Sequence, residues 1–119
     1  MIAANELRIG NLVKLETGKI VPINISGISA INAGYLRVYQ TPLTPEILEK
    51  CGFNYKELNH NKIWIKSLNV FGFSINLYVH DEKIFFSPFE LNWEIEIKYL
   101  HQLQNLYFAL TGTELEFKP

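Results

Sequence analysis

The segment that most constrains the fold lies near the end of the sequence, where apolar residues recur with the period of an α-helix. These apolar residues, spaced by one, three or four positions, are Leu100, Leu103, Leu106, Tyr107 and Leu110. Such spacing places side chains on one helical face that is wide enough to cover a sheet. Gly112 follows, and glycine readily adopts the left-handed conformation that ends many helices. The pattern predicts a helix over residues 99–111.

The other side of this predicted helix is rich in amides and carries no Glu or Lys. It presents His101, Gln102, Gln104 and Asn105. An ordinary exposed face would carry charged residues, and buried amides need hydrogen-bond partners. Two interpretations remain open: this side bonds to the N-terminal part of the chain, or it contacts another protein. His101, Gln102 and Asn105 are therefore candidate partner-binding residues.

A second, two-turn helix is indicated by its end signals within residues 42–53. Thr44 has a side chain that caps free amides, and Pro45 suits the first helical position. Glu46 complements the positive end of the helix dipole, and Gly52 is suited to end the helix.

The remaining chain has the two-residue period and glycine turns of short β-strands. In the N-terminal part, the predicted strands are residues 11–15, 20–26, 28–32 and 35–40. Further along, the predicted strands are residues 55–58, 62–66, 70–79 and 83–87, followed by one in which Trp93, Ile95 and Ile97 form the apolar face.

The predicted fold is therefore α+β, an antiparallel, β-rich single domain packed by a C-terminal helix. Its parts are an SH3-like meander (1–41), a short helix (42–53), antiparallel strands (54–98) and the C-terminal helix (99–112). At 119 residues and 48% hydrophobic content, the chain has enough apolar material for one core.

Composition limits the function classes. Eleven Lys and Arg against twelve Asp and Glu give a net charge of −1, which disfavours general binding to phosphate backbones. The single cysteine excludes an internal disulfide. No signal peptide or membrane-spanning run is present in the sequence, so we expect a soluble intracellular protein that does not contact a membrane.

Nucleophilic and metal chemistry are both disfavoured. Cys51 has His60, His80 and His101 as candidate bases, but it lies in the last turn of its helix, where the dipole disfavours a thiolate. No two of these four residues are closer than nine positions, whereas structural zinc sites draw ligands in close pairs. We interpret Cys51 as a small buried residue and expect neither metal nor cofactor.

The carboxylates of the second half allow three interpretations. Glu94 and Glu96 alternate along one strand, which could hold an acid–base pair as in hydrolases. An ordinary solvent face is the favoured interpretation. The third is an acidic surface that meets a basic partner, formed by Asp81, Glu82, Glu90, Glu94 and Glu96.

The chain resembles a family of small uncharacterised proteins carried by phages, prophages and conjugative elements of anaerobic gut bacteria and their relatives. The matching stretches cover about a third of the chain: residues 5–13 (NELRIGNLV), 42–53 (PLTPEILEKCGF) and 101–112 (HQLQNLYFALTG), with Glu114 and Leu115. The resemblance implies a mobile-element accessory protein in the cytoplasm of a bacterial host and no established activity. Such proteins commonly act by binding, and anti-CRISPR inhibition is a frequent role for proteins of this size.

The favoured hypothesis is a non-enzymatic protein that binds a nuclease or ribonucleoprotein of a host defence system through its acidic residues. The alternative is a nucleic-acid-associated regulator that uses the N-terminal meander. Lys14, Lys19 and Arg37 would contact phosphates, and Tyr35 or Tyr39 would stack on bases.

Overall fold

The computed structural model describes residues 1–58, 61–68, 74–86 and 95–118. The predicted loop at His60, the first part of the 70–79 strand, Glu90, Trp93 and Glu94 lie outside these residues. The chain forms two compact units: the first comprises Met1–Pro42 and Tyr99–Glu114, the second Leu43–Lys98 and Leu115–Pro119. Antiparallel sheets and helices confirm the α+β class.

The first unit begins with a short 3₁₀ helix, Ala4–Glu6, and a hairpin of β1 (Leu12–Lys14) and β2 (Ile20–Pro22). The two strands are antiparallel, with Val13 opposite Val21. Gly18 has a φ of +88° in the turn between them, which confirms the predicted hairpin. Lys14 also forms an isolated antiparallel bridge with Tyr39.

The meander prediction is wrong after β2, because the next element is a helix. This helix, α1, spans Ile25–Asn32, where strands were predicted over residues 20–26 and 28–32. Asn24 caps it, since its side chain accepts a hydrogen bond from the backbone N–H of Gly27 at 2.8 Å. Ile28 and Ile31 lie one turn apart and pack against the apolar cluster of the unit, formed by Ile2, Val13, Ile23 and Val38.

The predicted C-terminal helix is confirmed as α3, Leu100–Thr111, which contacts β1 in the first unit. Gly112 ends it with a φ of +72°. The backbone N–H of Leu100 donates to the carbonyl of Thr41 at 2.8 Å, which ties the start of the helix to the preceding segment of the unit. Leu100 and Leu103 are fully buried, whereas Leu110 at the far end is half exposed.

The second unit combines α2, Pro45–Lys50, with an antiparallel sheet. Its strands follow chain order: β3 (Asn54–Leu58), β4 (Asn61–Ser67), β5 (Ser74–His80), β6 (Lys83–Phe86) and β7 (Ile95–Glu96). The end signals of α2 are confirmed, because Thr44 Oγ1 accepts from the Ile47 N–H at 3.2 Å. At the other end, Lys66 Nζ donates to the Cys51 carbonyl at 2.8 Å.

One sheet face forms much of the core of this unit. Trp64, Leu77 and Phe86 are directly opposite one another on neighbouring strands, and all three are buried. Ile95 continues this row but is 51% exposed, so the prediction that it lies on a buried apolar face is wrong. β7 is a two-residue strand at the end of the sheet order, where the described residues supply no further strand to cover it.

No helix within the described residues is long and apolar enough to span a membrane.

Candidate interaction surfaces

The turn between β5 and β6 presents two carboxylates in an unusual backbone conformation. Asp81 and Glu82 have φ values of +50° and +62°, and His80 pairs with Lys83 across the turn. Positive φ at both central residues is typical of a type I′ hairpin turn, for which Asn-Gly is the preferred sequence. Both side chains are exposed, and Asp81 Oδ2 lies 3.4 Å from His80 Nε2. The turn therefore holds two acidic groups at the tip of a hairpin.

Glu96 lies on β7, apart from this tip. Its carboxylate is 3.9 Å from Lys98 Nζ, and its cross-strand neighbour is Phe85. Glu90 and Glu94 are outside the described residues, so neither the five-residue acidic surface nor the Glu94–Glu96 acid–base pair is tested as a whole. Asp81 and Glu82 are the members that the structure brings together.

The amide-rich side of α3 bonds to the N-terminal part of the chain, as one of the two interpretations requires. The backbone N–H of Leu12 donates to Gln104 Oε1 at 2.7 Å, and Asn11 Nδ2 donates to Asn105 Oδ1 at 2.8 Å. Gln102 Oε1 accepts from the backbone N–H of Tyr99 at 3.2 Å, so it caps its own helix. Among the candidate partner-binding residues, Gln102 and Asn105 are thus engaged within the first unit.

Arg8 completes this polar network, and the sequence did not single it out. Its guanidinium forms a two-point ion pair with the Glu114 carboxylate, and its Nε donates to Asn105 Oδ1 at 3.3 Å. Its Cζ also lies 4.2 Å from the centre of the Phe108 ring, a cation–π contact. Arg8 and Glu114 are 106 positions apart, and no local pattern links such distant residues.

His101 is 2% exposed, and neither of its ring nitrogens has a hydrogen-bond partner among the residues that the structure describes. Its ring stacks on Tyr99 with centroids 5.9 Å apart. Burial lowers the pKa of His101 from its usual 6.5, while the negative charge of Glu6 acts in the opposite direction. The neutral form is therefore favoured at pH 7, and this candidate partner-binding residue lies inside the first unit.

The interpretation of Cys51 as a small buried residue is confirmed, since it is 1% exposed. Burial raises the pKa of its thiol to about 11, and nearby Lys66 lowers it only in part. A thiol with this pKa is almost entirely protonated at pH 7 and is a poor nucleophile. No group of three or more His, Cys, Asp or Glu side chains is placed to hold a metal ion in the part of the chain that the structure describes.

The basic and aromatic residues of the alternative hypothesis lie in the first unit. Lys14, Lys19 and Arg37 are exposed, and Tyr35 is 89% exposed. An open groove between residues 15–17 and 34–37 runs beside them. Tyr39 is half-buried and bonded through its backbone to Lys14. The structure thus brings Tyr35 together with Arg37 and Lys14 together with Tyr39, although the complete meander is not formed.

Two of the three stretches that carry the resemblance to mobile-element proteins meet in the polar network of the first unit. Residues 5–13 contribute Arg8 and Asn11, and residues 101–112 contribute Gln104 and Asn105. No protein-family model, curated protein or solved structure matches the chain. The resemblance to that family stays a prediction.

Proposed function

We propose that this chain is a binding protein, not an enzyme, and that it contacts a host macromolecule through the Asp81–Glu82 turn. The observation that carries the proposal is the positive φ of both residues. A left-handed conformation costs Glu82 about 1–2 kcal/mol, which glycine would avoid, whereas aspartate at position 81 tolerates it. Retaining two exposed carboxylates where Asn-Gly would be more stable is expected if the negative charges make a contact.

A basic surface is the partner that such a turn fits. Nucleic-acid-binding channels of nucleases and ribonucleoproteins are lined by Lys and Arg, and carboxylates on a hairpin tip are complementary to them. We therefore extend the proposal to a mobile-element accessory protein that inhibits a defence-system nuclease or ribonucleoprotein in the bacterial cytoplasm. The resemblance through residues 5–13, 42–53 and 101–112 supports this setting.

The decisive variant is the double substitution Asp81→Asn and Glu82→Gly, which installs the preferred turn sequence and removes both charges. Stability and binding should then change in opposite directions. We expect the free energy of unfolding to rise by about 1 kcal/mol, because a glycine at position 82 adopts this conformation without strain. Capture of the partner from host extract, measured by quantitative mass spectrometry with and without nuclease treatment, should fall strongly.

A charge-matched control is Glu49→Gln combined with Glu116→Gln, which removes two exposed carboxylates from the same unit. This control should capture the partner as well as the unaltered chain. Equal capture by the turn variant would disprove the role of Asp81 and Glu82. Capture that disappears on nuclease treatment would show that the chain reaches its partner through nucleic acid.

A further inference from the structure

Residues 35–39 run from the end of α1 to the bridge with β1, and the side chains of residues 36–39 alternate between core and surface. Leu36 packs against the apolar cluster, and Val38 is completely buried. This alternation places Arg37 and Tyr39 on the outer side, and Tyr35 lines the same open groove as Arg37. Tyr35 is 89% exposed and Arg37 is exposed. The outer side of the segment is therefore a row of aromatic, cationic and aromatic groups.

The β1 strand adds a second cation beside this row. Lys14 and Tyr39 exchange two backbone hydrogen bonds, of 2.9 and 2.8 Å, in an antiparallel bridge. Side chains directly opposite each other in such a pair lie on the same side. Lys19 is opposite Leu15, which packs against the apolar cluster, so it is not counted with this row. We call Lys14, Tyr35, Arg37 and Tyr39 the cationic strip.

The charges of the strip are open to a partner. Neither Lys14 nor Arg37 forms an ion pair with another residue in the described part of the chain. Glu16 lines the groove beside the strip, so its carboxylate stands against the two cations of the strip. The local charge is therefore positive, although the whole chain carries −1.

The position of Tyr35 is fixed by the end of α1. Gly34 has a φ of +84°, and the backbone N–H of Tyr35 donates to the Ala30 carbonyl at 2.8 Å. This left-handed glycine and the returning hydrogen bond end the helix in a defined geometry. The exposed ring is thus carried on a backbone that is held at both ends, by α1 and by the bridge to β1.

We propose that the cationic strip binds single-stranded nucleic acid, with a base stacked on Tyr35 and phosphates paired with Arg37 and Lys14. Aromatic rings beside cations are the arrangement by which proteins bind single strands without reading sequence. A duplex keeps its bases stacked on each other and offers no free face to an exposed tyrosine. This surface is in the first unit, so the inference goes beyond the contact proposed for the Asp81–Glu82 turn.

The test is fluorescence anisotropy of the full chain with a labelled oligouridine of about 12 nucleotides. Two phosphate contacts predict that the logarithm of the affinity falls with the logarithm of salt concentration with a slope of about −1.4. Tyr35→Ala should weaken binding about tenfold, while Tyr35→Phe should preserve it because the ring remains. Arg37→Ala should reduce the slope by about 0.7, while Arg37→Lys should leave it nearly unchanged.

Lys56→Ala is the matched control, since Lys56 is exposed on β3 in the second unit. It should leave both the affinity and the salt slope unchanged. The double substitution Asp81→Asn and Glu82→Gly should also leave both unchanged, and this result would separate the present inference from the proposed function. Absence of binding at low salt would overturn the proposal. Equally tight binding of a duplex, or equal competition by polyglutamate, would also overturn it, because either result indicates charge attraction without stacking.

Discussion

Arg8 joins three parts of the first unit through one side chain. It pairs with Glu114, donates to Asn105 and covers the ring of Phe108. A planar guanidinium suits all three contacts at once, because its N–H groups point in fixed directions and its face stacks on aromatic rings. A lysine ammonium at the same place keeps the charge but not this geometry.

We therefore expect Arg8→Lys to lower the free energy of unfolding by about 1 kcal/mol. Arg37→Lys is the matched control, because Arg37 is exposed and unpaired among the described residues, and its effect should stay within about 0.5 kcal/mol. Urea denaturation followed by circular dichroism measures both. Equal effects of the two substitutions would contradict the role given to Arg8.

His101 makes stability depend on pH. Because its pKa is lowered in the folded state, the unfolded chain binds a proton more readily when the pH falls below about 6.5. Its contribution to stability is thus fully present above the unfolded pKa and is lost as the pH falls through the folded pKa. The underlying reason is that both ring nitrogens are buried and have no acceptor within the described part of the chain.

His101→Phe should therefore flatten the pH dependence of stability between neutral pH and about pH 5. In this range a single histidine contributes a slope of at most about 1.4 kcal/mol per pH unit. The variant keeps a ring against Tyr99 but removes the titrating group. Denaturation of both proteins over this pH range measures the difference, and identical slopes would show that His101 does not titrate differently on folding.

At the scale of elements, α1 shows which sequence signals decide between helix and strand. Its isoleucines favour a strand by propensity, and that preference led to the wrong prediction. The correct signals were the capping residue Asn24 and the spacing of Ile28 and Ile31, which suits one face of a helix. Burial of Ile28 and Ile31 against the apolar cluster then outweighs the weak propensity.

If Asn24 sets the start of α1, Asn24→Ala should destabilise the first unit by about 1 kcal/mol, because the Gly27 N–H loses its acceptor. Asn24→Asp should retain most of the stability, since its carboxylate also caps. Asn32→Ala provides a control at the last residue of the same helix. Thermal unfolding compares the stability of the three variants. A loss of stability from Asn32→Ala as large as that from Asn24→Ala would contradict the capping role of Asn24.

The elements with strong end signals were predicted well, and the contacts that form the surfaces were not. α2, α3 and the β5–β6 hairpin follow from local residues such as Thr44, Gly112 and the polar turn at residues 80–82. The positive φ at Glu82 does not follow from local residues, because glutamate rarely adopts that conformation. The ion pair between Arg8 and Glu114 does not follow from them either, because it joins distant residues. The pairing of β5 with β6 decides the first, and tertiary packing decides the second.

At the scale of the whole molecule, the charge differs between the units. The first unit carries four basic and three acidic residues, whereas the second carries seven and nine. The overall charge of −1 therefore conceals a slightly positive unit, which holds the cationic strip, and a negative unit, which holds the Asp81–Glu82 turn. Net charge alone argued against nucleic-acid binding, but local charge is what a bound strand meets within a Debye length of about 10 Å.

Each unit has its own buried residues, so we expect each to open as its own cooperative unit. Leu103→Ala in α3 and Leu77→Ala in β5 each leave a cavity at a fully buried position, at a cost of about 2–5 kcal/mol. Leu103→Ala should speed hydrogen exchange at the Tyr39 amide of the first unit. Leu77→Ala should speed exchange at the Ile97 amide of the second unit, which bonds to the Ile84 carbonyl. If either variant speeds exchange equally at both amides, the chain opens as a single unit.

The first unit cannot be completed early in synthesis, because 56 residues of the second unit separate its two segments along the chain. At about 5–20 residues per second, a ribosome needs about 3–11 seconds to translate them. During that time Leu12 has no Gln104 to accept its N–H, and β1 has no helix against it. A nascent chain that stalls before α3 would therefore display its unfinished apolar cluster to holding chaperones and proteases.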